Sequence, residues 1–404
     1  MKRHVLILGG GASGLAAAVI ASECGARVTI IERSDRVAKK LLATGNGRCN
    51  LANTGAPVYF GDEDFAKDVM TRLDSEVVRG FFERLGVPTR PDGAGRVYPA
   101  CNQAAAVVDA LRLRLAQNDV HIVTRAEAMA IEPLDEGFYV KTSAGNFTAQ
   151  RVIVCCGGLA APKLGAANAY GLLTALGCRL VPTGPALTPI ETEKAPVKGL
   201  SGLRLPVKLT LCDGKKPVAC TQGEMLFADY GVSGVCVMQL ARDAHNLLRR
   251  GGKPMLYADF SPAMGLGDYR MERCVPRSPY ANEKRMLRYL QEREAYMPPD
   301  DLLLGALPRL LREKLPKASA EELARLLCAY SLPVTGVRGY DQAQVTQGGV
   351  DTKDFSPETM EHCRIKGLYA CGEILNVDGD CGGYNLQFAF ACGMLAGEHA
   401  AMSE

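Results

Sequence analysis

Three patterns of apolar and polar positions follow one another along the chain. The opening "HVLILGGGASGLAAAVIASECGARVTIIER" is a short apolar run, a glycine cluster, a longer apolar stretch and a second short run closed by Glu32. That order predicts strand, glycine turn, helix and strand. Two later stretches belong with it. "RVIVCCGGLAAP" predicts an apolar strand ending at Gly157-Gly158, preceded by the short strands of a meander in "AEAMAIEPLDEGFYVKTSAGNFTAQ". "GLYACGEI" predicts a short strand ending at Gly372-Glu373, with a helix to follow from the apolar positions Leu386, Ala389, Phe390 and Leu395.

From about Leu187 to Val334 the pattern changes. "LRLPVKLTLC", "KPVACTQ" and "GEMLFADYG" predict short strands with turns at Asp213-Gly214 and Tyr230-Gly231. "RMLRYLQEREAYM", "DDLLLGALPRLLREKL" and "SAEELARLLCAY" predict helices between proline-containing breaks, with a capping box at Ser319 and Glu322. Residues 265–282 form the best irregular connector. The expected domains are a nucleotide-binding domain over 1–186, a β-rich insert over 187–268, a helical insert over 269–330 and a return to the first domain over 331–404. The inserts hang beside the cofactor's reactive edge in this arrangement and would cover a substrate.

Gly9, Gly11 and Gly14 occupy the three positions of G-x-G-x-x-G. The first permits a tight turn, the second lets a pyrophosphate approach the backbone, and the third lets helix pack on strand. Ala12 and Ser13 then begin a helix whose N–H groups and dipole favour phosphate. Glu32, followed by Arg33, stands where a carboxylate accepts the hydroxyls of an adenosine ribose. Taken alone, this fingerprint does not choose between NAD and FAD.

The next segment, "RSDRVAKKLLATGNGRCNLANTG", does not start another strand and helix. Lys39, Lys40 and Arg48 bring positive charge, Gly45 and Gly47 allow unusual backbone angles, and Asn46, Asn50 and Asn53 can form turns or meet a polar ligand. It is either a solvated loop or a surface folded over the cofactor.

Within that segment, "KKLLATGNGRCNLAN" resembles the K-x-L-x-[ST]-G-x-G-R-C-N signature of the bacterial flavoproteins called YhiN-like or BaiN-like, which are NAD(P)/FAD-dependent oxidoreductases. The match extends to "GEMLFADYGVSG", "AQVTQGGVD" and "GLYACGEILNVDGDCGGYNLQFAFACGMLAG", so it covers essentially the whole chain. The resemblance implies an α/β fold: an FAD-binding, Rossmann-like domain of glutathione-reductase type with an inserted β-rich, barrel-like module and a small helical module. It implies that Thr44, Gly45, Gly47, Arg48, Cys49 and Asn50 line the FAD cleft. Cys156, Gly157 and Gly158 would pass beneath the cofactor, and fold analogy puts the backbone near Ala128 beside the adenine. Gly372 and Glu373, or else Asp380, would meet the ribityl chain. Backbone N–H groups from Gly383 through Tyr384, Asn385, Leu386 and Gln387 would face flavin N1 and the C2 carbonyl, where a helix N-terminus favours the reduced ring. One departure stands out: the family's G-E-x-L-F-T-H-x-G-x-S-G-P has Ala228-Asp229 here in place of Thr-His and Val235 in place of the proline.

Composition then narrows the chemistry. A hydrophobic fraction of 47% and a charged fraction of 23% describe an ordinary globular chain. A formal charge of +3, with acidic residues among the arginines of the helical segment, argues against a nucleic-acid partner. The basic and apolar N-terminus has the outline of a signal peptide, but its glycines suit a nucleotide turn better, and no later segment is apolar enough to span a membrane. The 15 cysteines include no C-x-x-C and read as reduced, mostly buried thiols of a cytoplasmic protein. His4, His121, His245, His362 and His399 all lie outside the motifs, so no catalytic acid or base is named, and no metal site is expected. No second strand-linked G-x-G-x-x-G provides a dedicated nicotinamide domain, so NAD(P)H as electron donor would bind transiently. The expected activity is reduction of an activated C=C bond in a small molecule, which the resemblance extends to an unsaturated 3-oxo steroid or bile-acid derivative. The alternatives are an amine oxidase returning electrons to oxygen, and a flavin-containing regulatory or binding protein. Oligomeric state is not legible.

Overall fold

A computed structural model describes residues 2–165, 169–267 and 272–402. The chain divides into two compact units, 1–184 with 345–404, and 185–344.

The first unit is built on a five-stranded parallel sheet, ordered Leu368–Ala370, Arg151–Val154, His4–Leu8, Arg27–Ile31, His121–Val123. Val5 to Leu8 are fully buried, as expected of a central parallel strand covered on both faces. Helix Ala12–Glu23 follows the first strand, and the C-terminal helix Tyr384–Met402 crosses it closely. Glycine permits that crossing: a Cβ on Gly393 would lie 2.3 Å from the carbonyl oxygen of Ser13, and one on Gly397 2.4 Å from that of Ala17. The meander is Ala128–Leu134, Gly137–Thr142 and Gly145–Ala149, antiparallel throughout.

The second unit holds an antiparallel sheet in the order Arg204–Asp213, Pro254–Asp259, Tyr330–Val337, Ile190–Thr192, Gly231–Ser233, Lys216–Ala228, Glu272–Cys274. Arg204–Asp213 also pairs with Lys216–Ala228, so the first six of these strands close into a ring. Helices Ala241–Arg249, Glu283–Glu294 and Ala320–Cys328 share one apolar core with this barrel, through residues such as Ala244, Met286, Leu290 and Leu323. The fold class is the one read from the sequence: a Rossmann-type α/β domain with an inserted β-rich, barrel-like part and helices.

Several details depart from expectation. The return to the first unit begins at Val345 rather than at residue 331, because Tyr330–Val337 pairs with strands of the barrel on both sides. The segments "KPVACTQ" and "GEMLFADYG" form one strand, Lys216–Ala228, since its ladder with Arg204–Asp213 continues through Gly223. Within 300–315 only Arg309–Lys314 is α-helical. Gly305 has φ +75° and Pro308 precedes the helix, while Leu302 and Leu307 are buried without a continuous helix. The capping box at Ser319 forms as predicted. Residues 268–271 of the expected connector, including the boundary at 268/269, lie outside the described residues. Beyond them Glu272–Cys274 is a strand rather than irregular.

That strand also corrects the reading of every cysteine as a free thiol. Register sets Cys220 opposite Cys274 with Cα atoms 5.2 Å apart, and the two form a disulfide.

Candidate functional site

The first glycine turn has three different environments at its three glycines. Gly9 has φ +107°, and a Cβ there would lie 2.4 Å from the carbonyl oxygen of Cys155. On Gly14 a Cβ would lie 1.9 Å from the Gly9 oxygen. At Gly11, by contrast, an added Cβ would meet nothing within 4 Å. The outer two glycines are therefore required by packing, and the middle one leaves space open at the start of Ala12–Glu23. No side chain caps that helix N-terminus. Ser13 does not point at this space: its hydroxyl donates to the Cys371 carbonyl at 3.4 Å.

Glu32 follows the second strand and is half-buried. Its carboxylate accepts the Gly10 N–H at 2.8 Å and the Ser34 N–H at 2.6 Å, which fixes its orientation beside the turn and leaves lone pairs for further donors. The Ala126 N–H donates to the Glu32 carbonyl, which brings the start of the meander, and Ala128, alongside. Arg33 is exposed, with a long ion pair of 3.9 Å to Glu127. Cys156 is half-buried and donates to the Leu8 carbonyl at 3.4 Å; burial, with the charge of Glu32, pushes its thiol up to about 12.

Glu373 lies at the centre of a second group. Lys40 Nζ approaches one carboxylate oxygen at 2.7 Å, and the Thr346 N–H donates to the other at 2.8 Å. The Thr346 hydroxyl accepts the N–H groups of Leu159 and Ala160 at 2.8 and 3.0 Å. A Cβ on Gly158 would fall 2.5 Å from that hydroxyl oxygen, and one on Gly372 2.6 Å from the Ser13 hydroxyl oxygen. Glycines at 158 and 372 thus let the segments of Lys40, Leu159, Thr346 and Glu373 meet at one ion pair. Lys39 is not part of it; its side chain pairs with Asp35 at 3.3 Å on the surface.

The segment 41–50 is a short 3-10 stretch, Leu41–Gly47, interrupted at Gly45 and Asn46, which both take left-handed angles. Thr44 turns its hydroxyl back to the Leu41 carbonyl at 2.7 Å. The Arg48 guanidinium lies 4.8 Å above the Tyr98 ring and bonds the Gly45 carbonyl at 3.2 Å. Cys49 is fully buried, and burial pushes its thiol up to about 12, so its side chain belongs to the core. Asn50 Oδ1 is buried with no hydrogen-bond partner.

That orphaned oxygen faces the second glycine turn: a Cβ on Gly383 would come within 2.6 Å of it and 2.4 Å from the Ala52 carbonyl oxygen. Asn53 ties the same place together, donating from its backbone N–H to Gln387 Oε1 at 3.0 Å and from Nδ2 to the Gly382 carbonyl at 2.8 Å. Asn385 spends its side chain on the backbone of Gly379, at 2.8 and 2.7 Å. Tyr384 stacks edge-on against Tyr59, and Leu386 is half-buried. Asp380 is buried, with Oδ1 accepting the Cys381 N–H at 2.7 Å.

Thr346 and Asn53 were missed as site residues. Thr346 had a signal, since it lies in "AQVTQGGVD"; Asn53 was read as a turn former or a contact to a polar ligand, without a named place in the site. In the insert, Ala228 ends its strand and Asp229 is exposed in the turn before Gly231.

An open second glycine, an uncapped helix start, a fixed acidic residue at the end of the second strand and an orphaned buried acceptor at the second glycine turn together fit a dinucleotide. Among the described residues no helix is long and apolar enough to cross a membrane.

The chain is 36% identical, over 98% of both chains, to the 3-dehydro-bile acid delta(4,6)-reductase of Clostridium scindens. It is 27% identical to the ribosomal RNA dihydrouridine synthase of Haemophilus influenzae, over 96% of this chain and 95% of that one. Among solved structures, the 3-ketosteroid delta1-dehydrogenase of Sterolibacterium denitrificans, in complex with 1,4-androstadiene-3,17-dione, superimposes with a TM-score of 0.51 over all of both chains at 12% identity, a likeness of fold. The model of the HI0933-like protein Rossmann domain matches residues 3–399, and the chain belongs to that family.

Proposed function

We propose that this protein is an FAD-dependent oxidoreductase that saturates a carbon–carbon double bond conjugated to a carbonyl, with NAD(P)H as the electron donor. The observation that carries the reading is the pair of glycine turns, one open at Gly11 and the other facing the orphaned Asn50 oxygen, in a chain aligned end to end with a bile-acid reductase. Bound FAD supplies two-electron chemistry at its ring. The chain's residues hold and orient it. The open face at Gly11 and the helix start receive the pyrophosphate. Glu32 accepts ribose hydroxyls, and Glu373, held by Lys40 and Thr346, accepts those of the ribityl chain. Asn50 Oδ1 gains the donor it lacks.

An unsaturated 3-oxo steroid or bile-acid derivative is the favoured substrate class. A second reading rests on the dihydrouridine synthases among the relatives: the uridine ring also carries a double bond conjugated to a carbonyl, so one ring chemistry serves both. The formal charge of +3 favours the small molecule, because contact with many RNA phosphates needs more cationic surface.

The test is an anaerobic visible spectrum with NADH and NADPH added in turn, followed by a 3-oxo-4-ene steroid or by ribosomal RNA. Bleaching by a nicotinamide and recovery on the steroid support the first reading; recovery only on RNA supports the second. Rapid reoxidation in air, with reduction by an amine, points to an oxidase. A folded protein that takes up no FAD refutes the proposal.

A further inference from the structure

The sequence has no C-x-x-C, yet the fold builds a dithiol. Strands Arg151–Val154 and Leu368–Ala370 run parallel and in register, Val154 beside Ala370, so the residues that follow, Cys155 and Cys371, emerge side by side. Their Sγ atoms are 3.1 Å apart, and the two residues are 3% and 0% exposed. Two thiols in an apolar core normally meet only through van der Waals contact. This pair is already closer than that, on neighbouring strands whose spacing of about 5 Å lies within the Cα range of disulfides.

Their surroundings distinguish the two sulfurs. Cys392, also fully buried, lies beside Cys371, where its Sγ accepts the Gly372 N–H at 3.0 Å. Burial opposes a thiolate at Cys371, but the neighbouring thiols of Cys155 and Cys392 and the Ser13 hydroxyl draw its proton affinity down. Burial, with the neighbouring sulfur of Cys371, pushes Cys155 and Cys392 up. Within the cluster Cys371 therefore loses its proton first, and Cys155 is the thiol in line to meet it.

We propose that Cys155 and Cys371 are a redox-modification site, closed to a disulfide by hydrogen peroxide and reopened by a small dithiol. The Cys371 thiolate attacks one peroxide oxygen, the O–O bond breaks, and a sulfenic acid forms with release of hydroxide. The Cys155 thiol then attacks the Cys371 sulfur, the S–O bond breaks, and a second hydroxide leaves. With the two thiol protons the net products are one disulfide and two waters. Closure draws the sulfurs together by about 1 Å. It does so at the base of the nucleotide turn, where the Cys155 carbonyl limits Gly9 and Gly372 rests on Ser13.

The full-length protein is treated with a few equivalents of peroxide, quenched, alkylated under denaturing conditions and digested without reductant. The expected product joins the tryptic peptide of residues 152–163 to that beginning at Gly367, with fragmentation placing the bond at Cys155 and Cys371; dithiothreitol restores two alkylatable thiols. Because Cys156, Cys381 and Cys392 share those peptides, a bond placed at any of them overturns the assignment. So does full alkylation of Cys155 and Cys371 after peroxide. Should Cys155→Ser fold, it stops at the sulfenic acid, trapped by dimedone on Cys371; a dimedone adduct elsewhere with none on Cys371 contradicts the proposed order of attack. The wild-type digest decides the disulfide even if no variant folds.

Discussion

Replacing Gly11 by alanine should separate folding from cofactor binding, which the other glycines of the same turn cannot do. At Gly14 the new methyl would sit 1.9 Å from the Gly9 oxygen, a backbone atom with no room to move. At Gly9 it would sit 2.4 Å from the Cys155 oxygen, on a residue with φ +107°. Overpacking of this kind costs about 1–3 kcal/mol, and left-handed strain adds about as much again, against a typical total stability of ~5–15 kcal/mol. Gly11 has φ −84° and ψ −166°, ordinary extended angles, and open space where the Cβ would go. A compatible Gly→Ala exchange gains about 0.4–1 kcal/mol through the unfolded chain. Alanine is also a poorer N-cap than glycine, which offsets much of that gain. The net change should be under about 1 kcal/mol. The methyl nevertheless occupies the approach of the pyrophosphate. If one charge-assisted hydrogen bond worth about 1.5–3 kcal/mol is lost, FAD affinity falls about 10- to 150-fold. The assay is urea unfolding of apoprotein, paired with FAD titration followed by quenching of flavin fluorescence. Wild-type affinity in Gly11→Ala, or a loss of stability as large as that of Gly14→Ala, would refute the assignment of the open face to the cofactor.

Three further outcomes follow from the same geometry. Asn50→Ala removes a buried acceptor whose lack of a partner costs about 1–3 kcal/mol, so ligand-free stability should hold or rise while FAD affinity drops; equal losses in both forms would show Asn50 to be structural only. Gly393→Ala places a methyl 2.3 Å from the Ser13 oxygen and should destabilise the protein by about 1–3 kcal/mol, read as a lower urea midpoint at unchanged slope. His4, His245 and His362 are all held below the ordinary histidine range, first by burial, so the unfolded chain takes up protons that the fold refuses. Stability should then be flat above about pH 6.5 and fall as pH drops below it, by up to ~1.4 kcal/mol per pH unit for each histidine, until the folded groups themselves titrate; His4→Gln should flatten that slope.

What was legible in the sequence shares one property: the residues that decide it are close together in the chain. The turn at Gly9–Gly14 needs only its own glycines and flanking apolar runs, and the hairpin at Asp213-Gly214 needs only the two strands it joins. The capping box at Ser319 spans a single turn of helix. The stretch 300–315 misled because its leucines have helical spacing, yet they are buried on either side of a left-handed Gly305 and a proline at 308. Local periodicity reports that a residue is buried, while tertiary packing decides in which conformation.

The site shows the same division more sharply. Each part of it was visible: the glycine-rich segment near residue 45, the strand end at Glu373, the glycine pair at 382–383. How the parts lock together was not, because the bonds from Lys40 and Asn53 join residues 333 and 334 apart. Lys40 to Glu373 and Asn53 to Gln387 are contacts that no spacing rule expresses, and Thr346 acts through a hydroxyl shared between two N–H groups of another strand end. The dithiol is the extreme case. A rule that looks for cysteines two residues apart passes over Cys155 and Cys371, 216 residues apart, although a parallel sheet sets neighbouring strand ends side by side as surely as a short turn does. Once the strand order 368–370, 151–154, 4–8 is known, the two cysteines that follow the outer pair of strands must be adjacent. Their proximity is a consequence of topology, and the chemistry proposed for them follows from that adjacency and from the donors gathered around Cys371.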